Sequence, residues 1–235
     1  MRVLALDTSS NVASAAIIED GKLLGENILN HKKTHSQKIM VMIEELFGDL
    51  ELTVHDIDVF AAANGPGSFT GLRIGVATVK ALAHSVDKPV VGVSTLAGLA
   101  YNLPYTGYTI VPIMDARRNQ VYTASYIWEN GTLKELEADS AMSIEDRVSS
   151  CRQMGKVIFV GDGVNVHRDY IAGQLGENAY FAPVTALMQR ASSVAALAFE
   201  KANRGETEHY SALKPFYLRK SQAEREYDEK HGKEE

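Results

Sequence analysis

The sequence predicts an α/β protein of two similar lobes, each with helices packed on a mixed β-sheet. The main observation is an internal repeat, because VLALDTSSNVASAAIIEDGKLLGE, from Val3, resembles TIVPIMDARRNQVYTASYIWENGTLKELE, from Thr109. Each stretch has an apolar strand that ends in an aspartate, a polar turn, a second apolar strand, a hairpin signal and a third strand. In each half, a helical pattern, a buried strand with a glycine pair and another helical pattern follow. Both halves therefore predict the order β-β-β-α-β-α.

The strands of each half are marked by their ends. The first strands end in Asp7 and Asp115, and the hairpin signals are Asp20–Gly21 and Asn130–Gly131. These dipeptides favour the pair of positive φ angles that a tight two-residue hairpin requires. We therefore expect a three-stranded meander at the start of each lobe.

The helical patterns begin with capping signals. Thr34 and Gln37 have capping-box spacing at the start of the first pattern, and Ser143 precedes Asp146 by three residues in SIEDRVSSCRQM. One face of the first pattern is apolar and consists of Ile39, Met42, Ile43, Leu46 and Phe47. A later Ala-rich helix, predicted over residues 192–203, is expected to pack across the lobes.

These patterns predict three regions: an N-terminal lobe over residues 1–105, a C-terminal lobe over 106–218 and a flexible tail over 219–235. Pro104 and Gly107 interrupt the pattern at the first boundary. The tail is dense in both signs of charge and nearly free of apolar residues, which is typical of disorder.

A glycine-rich loop, NGPGSFTGLRIG, spans Asn64–Gly75. It lacks the lysine of a phosphate-binding P-loop and the third glycine of a dinucleotide fingerprint. We therefore interpret it as a turn with Ser68 as the N-cap of a helix over residues 69–84, although a weak phosphate site at the helix start stays open. Gly71 and Gly75 lie four residues apart in that helix, and each glycine lowers helix stability relative to alanine. Their presence therefore indicates the close approach of another backbone, from a neighbouring helix or a partner chain.

The aspartates at the two strand ends suggest a vestigial nucleotide cleft between the lobes. Its candidate residues are Asp7, Thr8, Ser9, Gly65, Gly67, Ser68 and Asp115. The small residues after the first aspartate leave room for phosphates, whereas Arg117 and Arg118 crowd the second half. The alternative is that both aspartates only cap turns.

Composition narrows the function classes. The net charge is −6, and the nearest candidates for a basic patch, Lys32–Lys33, Arg117–Arg118 and Arg219–Lys220, are only dipeptides, which disfavours direct tRNA binding by the chain alone. Cys151 is the single cysteine, and we interpret it as structural. His31 and His35 have i,i+4 spacing, but no third metal ligand follows from the pattern, so we predict no metal site. The start of the chain lacks a signal-peptide pattern, so we expect a cytoplasmic protein.

The stretches LALDTSS, HSQKIMVMIEELF, NGPGSFTGLRIGVATVKALA, VGVSTLAGLA, VPIMDARRNQVYTASY and KPFYLR together resemble the TsaB (YeaZ) family, over about residues 1 to 220. The resemblance implies the fold of the actin, sugar kinase and Hsp70 superfamily. It also implies an accessory role in forming threonylcarbamoyladenosine (t6A) at adenosine 37 of tRNAs that read ANN codons. The related TsaD holds a metal through an H-x-E-G-H motif. This sequence has Thr95 and Leu99 at the two histidine positions, so the resemblance implies a subunit without the transfer activity.

The resemblance further implies partners: a catalytic TsaD-like subunit, a TsaE-like ATPase, a second copy when the chain is alone, and tRNA only through the complex. It implies no intrinsic cofactor, with ATP or ADP and Mg²⁺ entering at the level of the complex. Pairing is expected through the first two helices, and Gly75→Glu is expected to abolish pairing while the monomer stays folded. The partner-binding candidates are His35, Ile39, Met40, Met42, Ile43, Leu46, Gly71, Leu72, Gly75, Val76 and Val79.

An enzyme of the same fold, either a weak ATPase or a peptidase, is the alternative. No catalytic constellation is visible in the sequence, but a carboxylate at Asp7 keeps the ATPase version open. ATP binding that disappears in Asp7→Asn would favour it.

Overall fold

The computed structural model describes residues 1–30 and 35–219, except for the side chain of His35. Predictions for Thr34, His31, the His35 side chain and residues 220–235 therefore lie outside the described residues. The described part contains ten β-strands and six α-helices. They are β1 Arg2–Asp7, β2 Val12–Glu19, β3 Lys22–Asn30, α1 His35–Asp49, β4 Val59–Gly65, α2 Phe69–Ser85, β5 Val90–Ser94, α3 Thr95–Tyr101, β6 Thr109–Asp115, β7 Gln120–Glu129, β8 Thr132–Ser143, α4 Ile144–Cys151, β9 Val157–Val160, α5 Gly163–Leu175, β10 Ala179–Phe181 and α6 Ala191–Asn203.

Local sequence signals placed many of these boundaries correctly. Asp20 and Asn130 both have positive φ, 48° and 51°, as the hairpin turns require. The Ser68 hydroxyl accepts a hydrogen bond from the backbone N–H of Gly71, and Ser143 caps α4 through the N–H of Asp146. Both predicted N-caps are confirmed, because each hydroxyl satisfies a donor that has no partner within its helix.

The two sheets have the same topology, which confirms the predicted duplication. Their strand orders are β3-β2-β1-β4-β5 and β10-β9-β6-β7-β8. In each sheet the first strand pairs antiparallel with the second and parallel with the fourth in its half, with Val3 opposite Val59 and Thr109 opposite Val157. The parallel strands of each sheet therefore end at one edge, which brings Asp7 and Asp115 to corresponding places.

Two helices pack on the sheet of the opposite half. Helix α6 covers one face of the N-terminal sheet, where Val194 and Ala198 pack against Val3 and Ala5. Helix α3 contacts β6, β7 and β8, and its Leu99 lies in the C-terminal core. Helix α6 therefore packs across the lobes as expected: it follows the C-terminal strands in the chain but lies on the N-terminal sheet and touches α3. The predicted lobe boundary near residue 105 remains a prediction. Helix α3 lies before it in the chain but contacts the C-terminal sheet, and α6 lies after it but packs on the N-terminal sheet.

The segment after α6 returns along the N-terminal lobe, and we call residues 208–219 the C-terminal strap. It starts at the edge of the N-terminal sheet, where Glu208 and Val90 exchange two backbone hydrogen bonds of 2.9 Å. Leu213 is buried in the N-terminal core, and the N–H of Phe216 donates to the carbonyl of Asn64. This part of the predicted C-terminal lobe therefore packs on the N-terminal one. Within the described residues, every helix is too short or too polar to cross a membrane.

Candidate functional site

A cavity of about 470 Å³ opens between the ends of the two sheets. The start of α2 and the polar turn after β1 line one side, the turn after β6 lines the other, and the strap closes the end. The lining residues include Ser9, Gly67, Ser68 and Asp115 of the predicted cleft, together with Thr70, Arg117, Asp162, Tyr217 and Arg219. Asp7, Thr8 and Gly65, which were also predicted for the cleft, do not line it.

Asp7 closes a turn and does not line the cavity. One of its carboxylate oxygens accepts hydrogen bonds from the Ser9 N–H at 2.9 Å and the Ser9 hydroxyl at 2.6 Å. Only 1% of the residue is exposed. Burial raises the pKa of Asp7 to about 6, although the hydrogen bonds from Ser9 act in the opposite direction. The carboxylate of Asp7 therefore caps a turn, as the alternative interpretation of the sequence predicted.

The corresponding carboxylate of the second lobe makes the same local bond but is exposed. Asp115 accepts from the N–H of Arg117 at 2.8 Å, while its own N–H donates to Asp162 at 3.3 Å. Burial raises the pKa of Asp162 to about 6. No motif in the sequence marks Asp162 as a site residue, although a glycine flanks it on each side after β9.

The turn after β6 is strained in a way the sequence did not indicate. Arg117, Arg118 and Asn119 have φ angles of 62°, 54° and 57°, and left-handed geometry costs an L-residue about 1–2 kcal/mol. The turn is held by the N–H of Ala116, which donates to Gln120, and by the bond from Arg117 to Asp115 described above.

The carboxylates that line the cavity belong to Asp115 and Asp162, whereas Asp7 accepts two hydrogen bonds from Ser9 in a buried turn. Carboxylate oxygens are ligands that Mg²⁺ prefers, so the expectation of no intrinsic cofactor stays a prediction. Arg117 lines the cavity together with Asp115, whereas Arg118 does not line it, so the crowding of this half stays a prediction.

The glycines of α2 are required inside the chain. A Cβ at Gly71 would overlap the carbonyl oxygen of Thr8, and one at Gly75 would lie 2.5 Å from the Thr8 hydroxyl oxygen. That hydroxyl donates to the carbonyl of Gly71 at 2.7 Å. The close approach predicted from the glycine spacing is therefore made by the turn after β1, not by a partner chain or a neighbouring helix. Gly75→Glu would disrupt the lobe itself, so the expectation of a folded monomer is corrected.

Most of the predicted partner-binding side chains lie in the N-terminal core. They are buried because α1 and α2 use their apolar stripes to cover one face of the sheet. The buried set is Ile39, Met42, Ile43, Leu46, Leu72, Val76 and Val79. Periodicity identified the apolar face correctly, but that face points inward, so these residues cannot form a contact surface in the folded lobe.

The exposed sides of the two helices carry a different set. Met40 and Val41 on α1 are 45% and 42% exposed, and Ala77 and Ala81 are exposed on α2. Met40 is thus the described candidate that remains available to a partner. Whether these helices bind one stays a prediction.

The strap joins α2 to the turn after β6. Tyr217 stacks on Phe69 with ring centroids 3.9 Å apart, and the Nε of Arg73 donates to its hydroxyl at 3.1 Å. Arg219 then donates to the carbonyl of Ala116 in the other lobe at 3.0 Å. The predicted tail thus begins with a residue that has a defined bond. Only the resemblance to the family drew attention to KPFYLR, because contacts over such sequence separations leave no local signal.

The positions that match the metal-binding motif are part of the interior. Thr95 and Leu99 are both fully buried in α3. In residues 1–30 and 35–219, no three His, Cys, Asp or Glu side chains cluster in a way that could hold a metal ion. Cys151 is buried in the C-terminal core, and burial raises the pKa of its thiol.

A family model described as TsaD, tRNA N6-adenosine threonylcarbamoyltransferase, matches residues 22–227. The chain is 34% identical over 230 residues to the tRNA threonylcarbamoyladenosine biosynthesis protein TsaB of Bacillus subtilis, covering 97% of this chain and 99% of that protein.

Solved structures agree with this similarity. A Pseudomonas aeruginosa protein described as similar to peptidase YeaZ superposes with a TM-score of 0.79 at 26% identity, over 93% of this chain and 99% of that chain. A ROK hexokinase of Thermus thermophilus superposes with a TM-score of 0.50 at 9% identity, over 87% of this chain and 100% of that chain. The two-lobe fold shared with sugar kinases is therefore confirmed.

Proposed function

Because the chain belongs to the TsaB (YeaZ) family, within the wider family that the TsaD model describes, we propose that it is a non-catalytic subunit of the t6A machinery. In this role it binds and supports a catalytic TsaD-like subunit, together with a TsaE-like ATPase, and contacts tRNA only through the complex. ATP or ADP and Mg²⁺ act at the level of the complex. The similarity to TsaB over nearly the full chain is the observation that carries the proposal.

The exposed sides of α1 and α2 are the proposed docking surface. Their apolar centre consists of Met40, Val41, Ala77 and Ala81, which supply flexible and small contacts. A standard protein interface of this kind buries on the order of 1,600 Å² in total. The same surface would hold a second copy when the catalytic subunit is absent, because the acidic residues of α1 can face the basic residues of α2 across a two-fold axis.

Charge substitutions on the exposed helix faces test this function. We expect Met40→Glu and Ala77→Glu to leave the thermal unfolding of the chain unchanged but to abolish co-elution with a TsaD-like subunit. Burying an unpaired carboxylate in the contact explains the loss. Formation of t6A in a reconstituted reaction should fall with it. Val166→Glu is the matched control, because Val166 is an exposed apolar residue on α5 of the other lobe.

Two results would refute the proposal. Either both helix variants co-elute with the catalytic subunit as the wild type does, or Val166→Glu loses the partner to the same degree. A reaction that makes t6A at full rate without this chain would remove the supporting role.

The rival function is weak ATP binding by the chain alone, and the cavity between the lobes is the observation that favours it. Against it stand the buried, bonded carboxylate of Asp7 and the bulk of Arg117, which lines the cavity. A thermal shift of the isolated chain with millimolar ATP tests the rival. A clear rise in melting temperature that Asp162→Asn abolishes would support it, and no shift would remove it.

A further inference from the structure

Helix α2 and the C-terminal strap after Glu208 form a surface without acidic residues. The chain has 30 Asp and Glu residues and a net charge of −6, yet residues 69–85 and 209–219 contain neither. Helix α1 has the opposite balance. Its charged residues are Lys38, Glu44, Glu45 and Asp49, whereas those of α2 and the strap are Arg73, Lys80, Lys214 and Arg219, with Glu208 only at the start of the strap.

The strap and α2 are joined along their length, so they present one continuous face. The ammonium group of Lys80 donates to the carbonyls of Ser211 and Leu213, both at 3.1 Å. Tyr210 stacks on His84 with ring centroids 4.8 Å apart, one turn further along the helix. With the Tyr217 contacts described above, the strap follows α2 from its first turn to its last.

The two helices alone offer a surface at the lower end of the usual interface size. Among the described side chains, eight residues of α1 and six of α2 are exposed, and two of α1 and five of α2 are half-exposed. A standard interface uses about 20–30 residues on each side, so a partner centred on α2 has room to contact residues beside the helices as well. The strap supplies the neighbouring exposed residues, which are His209, Ser211, Ala212, Lys214 and Phe216.

We propose that the C-terminal strap is part of the docking surface, and that the catalytic TsaD-like subunit covers α2 and the strap together with an acidic face. This inference rests on the proposed function, because it assumes docking at α2. The excess of basic residues on α2 and the strap, in a chain that is otherwise acidic, favours a partner patch of the opposite sign. Contacts at the strap would enlarge the interface beyond the two helices.

Charge reversal on the strap tests the proposal. Lys214 is exposed and Ala212 lies beside it on the same exposed stretch, so Lys214→Glu and Ala212→Glu leave the buried Leu213 in place. We expect each variant to weaken binding to the TsaD-like subunit at least ~10-fold by calorimetric titration at 0.1 M salt, and added salt to reduce the effect of Lys214→Glu. Lys22→Glu is the matched control, because Lys22 is an exposed lysine on β3, the opposite edge of the same sheet.

The outcomes separate this inference from the function it rests on. If both strap variants bind normally while Ala77→Glu abolishes binding, the strap proposal is wrong and docking on the helices stands. If Ala77→Glu also binds normally, both proposals fail. An equal loss in Lys22→Glu would mean a general charge effect and would overturn the strap proposal. A Lys214→Glu variant that keeps its affinity for the TsaD-like subunit but lowers tRNA binding by the assembled complex would also overturn the strap proposal.

Discussion

Replacing Asp7 with asparagine should stabilise the protein at neutral pH and have a smaller effect in acid. Asparagine keeps the side-chain oxygen that accepts from the Ser9 N–H and hydroxyl but removes the buried charge. Burial raises the pKa of Asp7 from 3.8 to about 6 in the folded chain. Between these values the folded state holds more protons than the unfolded state, so the Asp7 contribution to stability falls as pH rises.

The size of the effect follows from the two pKa values. A rise from 3.8 to about 6 corresponds to roughly 3 kcal/mol once the carboxyl is ionised in both states. Between pH 4.5 and pH 7.5, the stability of Asp7→Asn relative to the wild type should therefore increase by about 2 kcal/mol.

Urea unfolding at pH 4.5, 6 and 7.5 measures this difference directly. Asp115→Asn is the matched control, because Asp115 makes the corresponding turn bond to Arg117 while exposed to solvent. A stability difference for Asp7→Asn that does not change between pH 4.5 and 7.5, or that changes equally in the control, would refute the reasoning. A loss of partner binding by Asp7→Asn would show that the carboxylate has a functional role as well.

Two further predictions concern packing and charge. Gly71→Ala should destabilise the chain by about 3 kcal/mol, because its Cβ would overlap the Thr8 carbonyl, whereas Gly173→Ala, with open space around it in α5, should stabilise by about 0.5–1 kcal/mol. Thermal and urea unfolding measure both, and a harmless Gly71→Ala would contradict the close approach. Glu137→Ala should cost about 3 kcal/mol, since it leaves the guanidinium of Arg147, 1% exposed, without its carboxylate. A cost below about 1 kcal/mol in urea unfolding, typical of a surface pair, would show that this ion pair contributes little.

Local chemistry explains why much of the fold could be predicted. A dipeptide such as Asn130–Gly131 specifies its own turn, and Ser68 caps its own helix, so neighbouring residues contain the information. The internal repeat predicted the two-lobe arrangement, because the second half of the sequence showed the same order of elements as the first. The predicted stripe of α1 was correct for the same reason, since periodicity reports which residues share a face.

Two features depend on residues that are far apart in the sequence: what the apolar face of α1 packs against, and how the strap closes the cavity. Periodicity cannot tell a face that covers the chain's own sheet from one that meets another protein, so Ile39 and Val76 were assigned to a partner. The bond from Arg219 to Ala116 links residues 103 apart in the chain, and the approach of Gly71 to Thr8 links a helix to a strand end from another part of the sequence. Such pairs become visible only in three dimensions.

The position of α6 sets the order in which the protein can be completed during synthesis. The strands of the N-terminal sheet leave the ribosome first, but one face of that sheet waits for Val194 and Ala198. Until α6, Ala191–Asn203, has emerged, Val3, Ala5 and their neighbours remain uncovered on the nascent polypeptide. Exposed apolar strands of this kind aggregate readily, so the growing chain is a natural client for chaperones that bind at the tunnel exit. A ribosome stalled before α6 would present a sheet with one bare side, however well its first two helices had docked.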